Sequence, residues 1–457
     1  MTPGANDLCV FAVKRGNIEG RFDVRNLLYS QTIVRHDYQK ATLGSLTSEE
    51  PCYGTSATAI KRTDESQPKY IRITDFDDFG IEANHEFMTA ESYSDKHFLK
   101  EGDILFARTG ATVGKTYYYD GSIGEAVFAG YCIRFRFDPN KVLPKYVYWM
   151  TKTNAYEKWV QGIQRPSGQP NINKEEYKSL EVPLPEMNKQ KQLSIFLEKA
   201  IQTYRTKKNN AYLLLSRETG RTFKEYGIDI SSPKYNKTIC VAVTIGELLS
   251  NSSIGVEYYH PERMYAINAI RKNVETKAIR IEELVDFCRN NTSASGKEDK
   301  YLGLAGIENN TGELSGDTES ASGEAFEYQR GDVLYARLRP YLNKVRLAEE
   351  DGICSKEFHV MRVKDQDVIL PAYLAAVMRT DVILAQTKHM MTGNTHPRIS
   401  NEDVKNLCIP IPGIDVQRKI VNELENNRKR ARRLMAEAAK EWAEAKAQFE
   451  RELLGES

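Results

Sequence analysis

A long internal repeat constrains this 457-residue chain more than any other feature. Gly102-Asp103-Ile104-Leu105-Phe106-Ala107-Arg108 returns as Gly331-Asp332-Val333-Leu334-Tyr335-Ala336-Arg337, an offset of 229. Upstream, Lys69-Tyr70-Ile71-Arg72-Ile73 returns as Lys300-Tyr301-Leu302-Gly303-Leu304 at 231. Downstream, Leu180-Glu181-Val182-Pro183-Leu184-Pro185 returns as Leu407-Cys408-Ile409-Pro410-Ile411-Pro412 at 227, and Gln190 and Leu193 match Gln417 and Ile420 at the same 227. Matches that share one order and nearly one spacing describe two copies of one unit. Each copy is a globular part of about 170 residues followed by a helix. The period is far too long for a solenoid, and the small drift in offset belongs in loops.

Within one copy the globular part reads as mixed α/β. Tyr70-Ile71-Arg72-Ile73, Ile104-Leu105-Phe106-Ala107 and Tyr117-Tyr118-Tyr119 are short β-prone runs bounded by Asp and Gly. Tyr131-Cys132-Ile133-Arg134-Phe135-Arg136 alternates apolar and basic residues, as a half-buried strand would. Lys145 to Trp159 suits a short helix. Val182-Pro183-Leu184-Pro185 is barred from a central strand, because proline donates no ladder hydrogen bond. It is expected as an extended connector that ends the globular part.

The period then changes. Leu193, Leu197, Ala200, Tyr204, Ala211 and Leu214 follow steps of four and three, with Lys207 at the one polar seam position. In the second copy Leu424, Ala431, Ala438 and Ala445 recur every seven residues, flanked by Met435, Trp442 and Phe449 at the same interval. This heptad pattern argues for coiled-coil helices, and the alanines allow a close approach. The bland alternative is that each helix packs only on its own globular part. A rod of 25 to 35 residues would be about 40–50 Å long, suited to a spacer. Arg217 to Ser250 links the copies. The expected division is a first globular domain over 1–185, a central helix over 186–225, a linker and second domain over 226–412, and a C-terminal helix over 413–457.

Charge narrows the function. Lys plus Arg number 64 and Asp plus Glu 63, a net charge of +1, which excludes binding by bulk positive charge but not a local basic patch. No run approaches 18 apolar residues, so a membrane span is not expected. The N-terminus lacks the pattern of a secretory signal. Seven scattered cysteines form no CxxC pair and seven histidines no HExxH, so neither a disulfide framework nor a zinc site is expected. A reducing, cytoplasmic setting fits best.

Gly110-Ala111-Thr112-Val113-Gly114-Lys115-Thr116 has the outline of a nucleotide-binding P-loop, yet three residues separate the glycines where that motif has four. It reads better as a tight loop presenting Arg108, Thr109 and Lys115. After the same strand the second copy has Arg337-Leu338-Arg339-Pro340-Tyr341-Leu342-Asn343-Lys344. Arg337, Arg339, Tyr341, Asn343 and Lys344 suit DNA, since Arg and Lys hold phosphates or guanine edges and Asn pairs with adenine. A second loop pair precedes each connector. Gln164, Arg165, Ser167, Gln169 and Asn171 face Asn394, Thr395, His396 and Arg398, all able to donate or accept at base edges. Solvated polar turns are the alternative for both pairs. The basic run Arg428-Lys429-Arg430-Ala431-Arg432-Arg433 suits DNA phosphates, a partner subunit or a solvated face equally. No Asn-Pro-Pro-aromatic methyltransferase motif and no GxSxG elbow occurs, and Glu357 and His359 near Cys354 suit a structural role.

Taken together these residues resemble the DNA-specificity subunit of type I restriction–modification systems. The motifs that carry the resemblance are Gly102 to Gly110, Gln169-Pro170-Asn171-Ile172-Asn173, and Val182 to Pro185 followed by Gln190 and a heptad helix, each with its second-copy partner. It covers the chain from about Ile18 to Phe449. The second copy has Pro397-Arg398-Ile399-Ser400 where the first has Pro170-Asn171-Ile172-Asn173, and lacks Thr109-Gly110. Such a difference is expected if the halves read different sequences.

The resemblance implies two target-recognition domains joined by two long helices in an antiparallel coiled coil. Each domain would read one half of a split target on double-stranded DNA. The helices would set the spacing and dock two methyltransferase (modification) subunits, with motor-nuclease (restriction) subunits joining for cleavage. It implies no catalytic residue, no metal and no cofactor on this chain, and S-adenosylmethionine on the partner methyltransferases. On the residues alone, a stand-alone two-headed DNA-binding regulator and a protein–protein adaptor stay open.

Overall fold

The computed structural model describes residues 38–77, 79–81, 85–163, 170–228, 246, 257–294, 301–316, 319, 323–393 and 395–454. Two compact units emerge: Met1–Arg205 with Ala438–Ser457, and Thr206–Glu437. Each has a mixed α/β globular part and one end of each of two long helices, Met187–Glu225 and Ile414–Leu454.

In the first unit the strands are β1 (Gln39–Thr42), β2 (Cys52–Tyr53), β3 (Ala59–Lys61), β4 (Lys69–Ile71), β5 (Met88–Ala90), β6 (Ile104–Ala107), β7 (Thr116–Tyr118), β8 (Ala126–Phe128), β9 (Cys132–Phe135) and β10 (Glu181–Leu184). Four form a sheet in the order β2-β9-β6-β7. All four residues of β6 are buried, which explains an unbroken apolar run instead of an alternating one. Gly102 precedes it with φ +93°, a left-handed turn that a Cβ would strain. Three short helices follow: Pro144–Met150, Asn154–Ile163 and Lys174–Lys178. The single helix expected from Lys145 is thus two, broken at Thr151 to Thr153. The hydroxyls of Thr151 and Thr153 bond back to Tyr148 and Met150 carbonyls there.

The second unit repeats this plan. After helix Pro261–Lys272 come β11 (Lys277–Arg280), β12 (Val285–Cys288), β13 (Asn291–Ser293), β14 (Tyr301–Leu302), β15 (Glu324–Tyr328), β16 (Val333–Ala336), β17 (Val345–Leu347), β18 (Gly352–Ser355), β19 (Phe358–Val363) and β20 (Cys408–Ile411). Sheet β12-β19-β16-β17 matches β2-β9-β6-β7 strand for strand. Helices Pro371–Met378, Asp381–Thr387 and Asn401–Lys405 match the three of the first unit. Small anchors recur too. Tyr146 Oη donates to Pro183 O at 2.7 Å, and Tyr373 Oη to Pro410 O at 2.7 Å. Gln190 accepts from Leu143 N and donates to Pro185 O, as Gln417 does with Leu370 N and Pro412 O. The matching glutamines therefore lock each long helix onto its globular part. The units differ in the other four-stranded sheet, ordered β3-β5-β4-β8 in one and β13-β15-β18-β14 in the other.

Two expectations need correction. The Val182-Pro183-Leu184-Pro185 connector is a paired strand: β10 runs antiparallel to β1, and β20 likewise to β11. Proline fits because each pair is a two-stranded ribbon, leaving one edge of the strand unpaired. The arginine face of β9 is also not a solvent face. Arg134 is buried and bonds Lys96 O at 2.8 Å and the Glu49 carboxylate, because the segment around Lys96 covers that side.

The helices pair within each unit. In the first, Lys189 meets Glu452, and Ala445, Phe449 and Leu453 share a core with Leu193, Leu197 and Ile201. In the second, Ala211, Leu215 and Ala431 form a small core, and Thr222 Oγ1 bonds Glu423 at 3.1 Å. Rising residue numbers on one helix meet falling numbers on the other, so the pairing is antiparallel. Ala431 is fully buried, as a close helix approach requires. Among the described residues, no helix is long and apolar enough to cross a membrane.

Candidate nucleic-acid interface

In each unit the central apolar strand ends in an arginine, and a second segment zips alongside it. Arg108 O accepts from Ile172 N at 2.9 Å, and Pro170 O from Gly110 N at 3.1 Å. The second unit reproduces this: Arg337 O accepts from Ile399 N at 3.0 Å, and Pro397 O from Arg339 N at 2.7 Å. The two loop pairs singled out from sequence thus lie side by side wherever both are described. Gln164, Arg165, Ser167, Gln169 and Asn394 lie outside the described residues.

The logic of the Pro-x-Ile-Asn/Ser motif follows from this packing. Ile172 and Ile399 are fully buried. Asn173 caps helix Lys174–Lys178, its Oδ1 accepting from Glu176 N at 2.9 Å, and Ser400 caps Asn401–Lys405 through Asp403 N at 3.1 Å. Asn and Ser are interchangeable as caps, so that departure between copies is conservative. The outward residue of each motif differs, Asn171 in one unit and Arg398 in the other, and both are exposed.

In the first unit Arg108, Thr109 and Asn171 line a cleft of about 420 Å³ with Thr55, Ser56, Tyr70 and Tyr131. Tyr131 is 62% exposed at its rim. The Arg108 guanidinium lies over the Tyr53 ring, 4.8 Å from its centroid, a cation–π contact. Tyr53 is held in turn by Lys174 N donating to its hydroxyl at 3.3 Å. Arg108 Nε is buried with no hydrogen-bond partner among the described residues, and Arg337 Nε is in the same condition. Lys115 faces elsewhere, lining a separate cleft of about 420 Å³ with Lys152, Lys446 and Trp442. The sequence signal for Tyr131 was its place at the start of the alternating run; nothing local marked Tyr53.

In the second unit Arg339, Tyr341, Thr395, His396 and Arg398 are exposed. Glu357 grips Arg398 with contacts of 2.7 to 3.1 Å, partly cancelling its charge. Asn343 has a structural duty: it is buried at φ +54° and its amide donates to Arg379 O at 2.8 Å. Lys344 Nζ donates to Leu304 O at 2.7 Å. The basic run on the second long helix is largely paired, with Arg428 and Arg432 on Glu313 at 2.7 and 2.9 Å and Arg433 on Glu437 at 2.8 Å.

The Cys354, Glu357 and His359 group is not arranged for catalysis. Burial raises the Cys354 thiol to about 12 and holds His359 neutral, its pKa lowered to about 3 chiefly by desolvation and then by the Arg337 charge. A thiol this far above neutrality is a poor nucleophile. Glu357 is engaged by Arg398.

Duplicated strand, duplicated arginine and duplicated capped motif make the two units copies of one plan. The chain belongs to the family of type I restriction modification DNA specificity domains, which matches it twice, over residues 54–213 and 273–438. It is 28% identical over 123 residues to the type I restriction enzyme EcoDI specificity subunit of Escherichia coli, an alignment covering 26% of this chain and 27% of that protein, so about a quarter of that relative's length is spanned. Among solved structures it is similar to a chain from a study of complex assembly and conformational transition in the type I R-M system (TM-score 0.45, 12% identity, 92% of this chain and 99% of that one). It is also similar to the S subunit of a type I restriction-modification system from M. genitalium (TM-score 0.40, 12% identity, 93% and 97%) and to the HsdS subunit from Thermoanaerobacter tengcongensis (0.34, 13%, 92% and 97%).

Proposed function

We propose that this chain is the DNA-reading subunit of a type I restriction–modification complex, each unit reading one half of a bipartite target. One observation carries the reading: Arg108 and Arg337 sit at equivalent strand ends, each with its carbonyl zipped to a loop that presents an exposed polar residue. An arginine at such a place suits a ligand rich in acceptors, such as guanine edges or phosphates. The outward residues beside them differ, which is what two different half-sites require.

In this reading the helix pair sets the gap between half-sites and docks two methyltransferase subunits. Those subunits carry S-adenosylmethionine and methylate adenine, and motor-nuclease subunits add cleavage. This chain supplies sequence choice and no catalytic group, and it works in the cytoplasm on double-stranded DNA. Two weak heads on one chain bind one duplex with a high effective concentration for the second, so specificity depends on both words and their separation.

Mapping adenine methylation in host DNA with and without this chain tests the proposal. The expected result is loss of one split methylation motif when the chain is removed, and its return on complementation. An unchanged methylation map in cells that contain the partner methyltransferase would overturn it.

A further inference from the structure

We propose that His260, Glu262 and His389, in the second unit, form a binding site for a divalent first-row transition-metal ion of the zinc type. The site is separate from the loops that would read DNA.

His260 and Glu262 stand at the start of helix Pro261–Lys272, and His389 lies just beyond helix Asp381–Thr387. One ligand atom from each of the three lies within 4.8 Å of the others. His389 Nε2 is 2.7 Å from Glu262 Oε2, and the two imidazoles stack with centroids 3.3 Å apart and planes 14° from parallel, so one ring must rotate for both in-plane lone pairs to meet one ion. In a tetrahedral zinc site with bonds of about 2.0–2.1 Å, donor atoms stand roughly 3.3 Å apart. The three donors, within 4.8 Å of one another, must therefore close by up to about 1.5 Å to take an ion. Two imidazoles and one carboxylate are also a ligand set that zinc accepts, and imidazole favours this class of ion over magnesium or calcium.

Interactions already present compete with the metal, first the His389 Nε2–Glu262 Oε2 hydrogen bond at 2.7 Å, whose proton must leave before that ring nitrogen can ligate. His260 Nδ1 accepts from Glu262 N at 3.2 Å, capping the helix. A neutral imidazole has one lone pair, so ligation through either nitrogen loses that bond. An N-cap bond is worth about a tenth of a structural zinc's binding free energy, so the exchange favours the metal. Lys388 Nζ also lies 3.3 Å from Glu262 Oε2. It would have to swing away, which its 54% exposed side chain permits. A bound ion would fasten the Glu257 to Lys272 segment to the end of helix Asp381–Thr387, where Glu262 is otherwise buried with a lysine and a histidine.

Titrating the metal-stripped full chain with zinc chloride against a competing chelator, alongside thermal unfolding, tests this. Zinc should bind one site per chain and raise the unfolding midpoint. His389→Ala should weaken that site at least about tenfold, the lower end for losing a group that supports a metal. Lys388→Ala should tighten it by removing the competing cation. Parental affinity in a folded His389→Ala chain would overturn the proposal. If that variant does not fold, Lys388→Ala decides: affinity no greater than the parent's overturns the site.

Discussion

Arg136 grips Asp103 with both prongs of its guanidinium, Nε to Oδ1 and Nη2 to Oδ2, each at 2.7 Å. Asp103 is wholly buried and also accepts from Lys100 N at 2.7 Å. The second unit has the same fork, Arg362 on Asp332 at 2.8 and 2.8 Å, with Gln329 N supplying the third bond. The acid of the repeated Gly-Asp pair is therefore structural. It fixes the turn that launches the central strand.

Asp103→Ala should destabilise the chain by about 3–5 kcal/mol, because a buried ion pair broken on one side leaves a charge uncompensated. Asp332→Ala should cost less. The Arg362 side chain is 37% exposed against 19% for Arg136, so it can turn back to water more easily. Urea unfolding of both variants checks the order, and a larger loss for Asp332→Ala would contradict it.

Stability should fall as pH drops from 6.5 towards 3 through His359. Its ring nitrogens are occupied: Nε2 faces Ile399 O at 3.3 Å, and Nδ1 accepts from the Asn401 amide at 2.8 Å once that amide is turned nitrogen-inward. Its pKa is lowered to about 3 in the folded state, from 6.5 in the unfolded one. Between those values the unfolded chain binds a proton that the folded chain does not, so stability rises with pH. At pH 4.5 the loss should be about 2.5 kcal/mol relative to pH 7. His359→Gln should flatten that part of the profile, read from urea midpoints at a series of pH values; an unchanged slope would place the proton uptake elsewhere.

Arg108→Ala and Arg337→Ala should each weaken one half-site. A lost base contact costs about 1–3 kcal/mol, roughly 5- to 150-fold in affinity. Fluorescence anisotropy on duplexes with one half scrambled separates the two. Equal loss on both halves from either variant would mean that the arginine supports folding and not reading.

Lengthening the helix pair by one heptad, after Leu214 in one helix and beside Ala431 in the other, should widen the preferred gap between half-sites. Seven residues add about 10 Å, close to three base pairs. The half-site words should stay the same. Selection from a duplex library with variable gaps measures this, and an unmoved optimum would remove the helices from spacer setting.

Much of the architecture was legible because the two copies preserve what a core requires. The Ile104 to Ala107 and Val333 to Ala336 runs are buried at every position, so their likeness survives while loops diverge. Gln190 and Gln417 were visible for the same reason, each bonding buried backbone. The β1–β10 ribbon was not visible, because Gln39 pairs with Leu184 across most of the unit and a four-residue strand carries almost no signal of its own. Tyr53 beneath Arg108, and His389 beside Glu262, were hidden likewise by distance along the chain.

The sequence by itself determined the doubling, the mixed α/β class, the heptad helices and the strand ends where polar loops emerge. Periodicity and repetition are properties of residue order, and burial enforces them copy by copy. Tertiary structure decided which of the many basic residues are already matched. Glu49 takes Arg134, Glu313 takes Arg428 and Glu357 takes Arg398, whereas the Arg108 guanidinium rests on the Tyr53 ring. A guanidinium's partner is set by distances between segments far apart in sequence, and only folding brings those segments within hydrogen-bond reach.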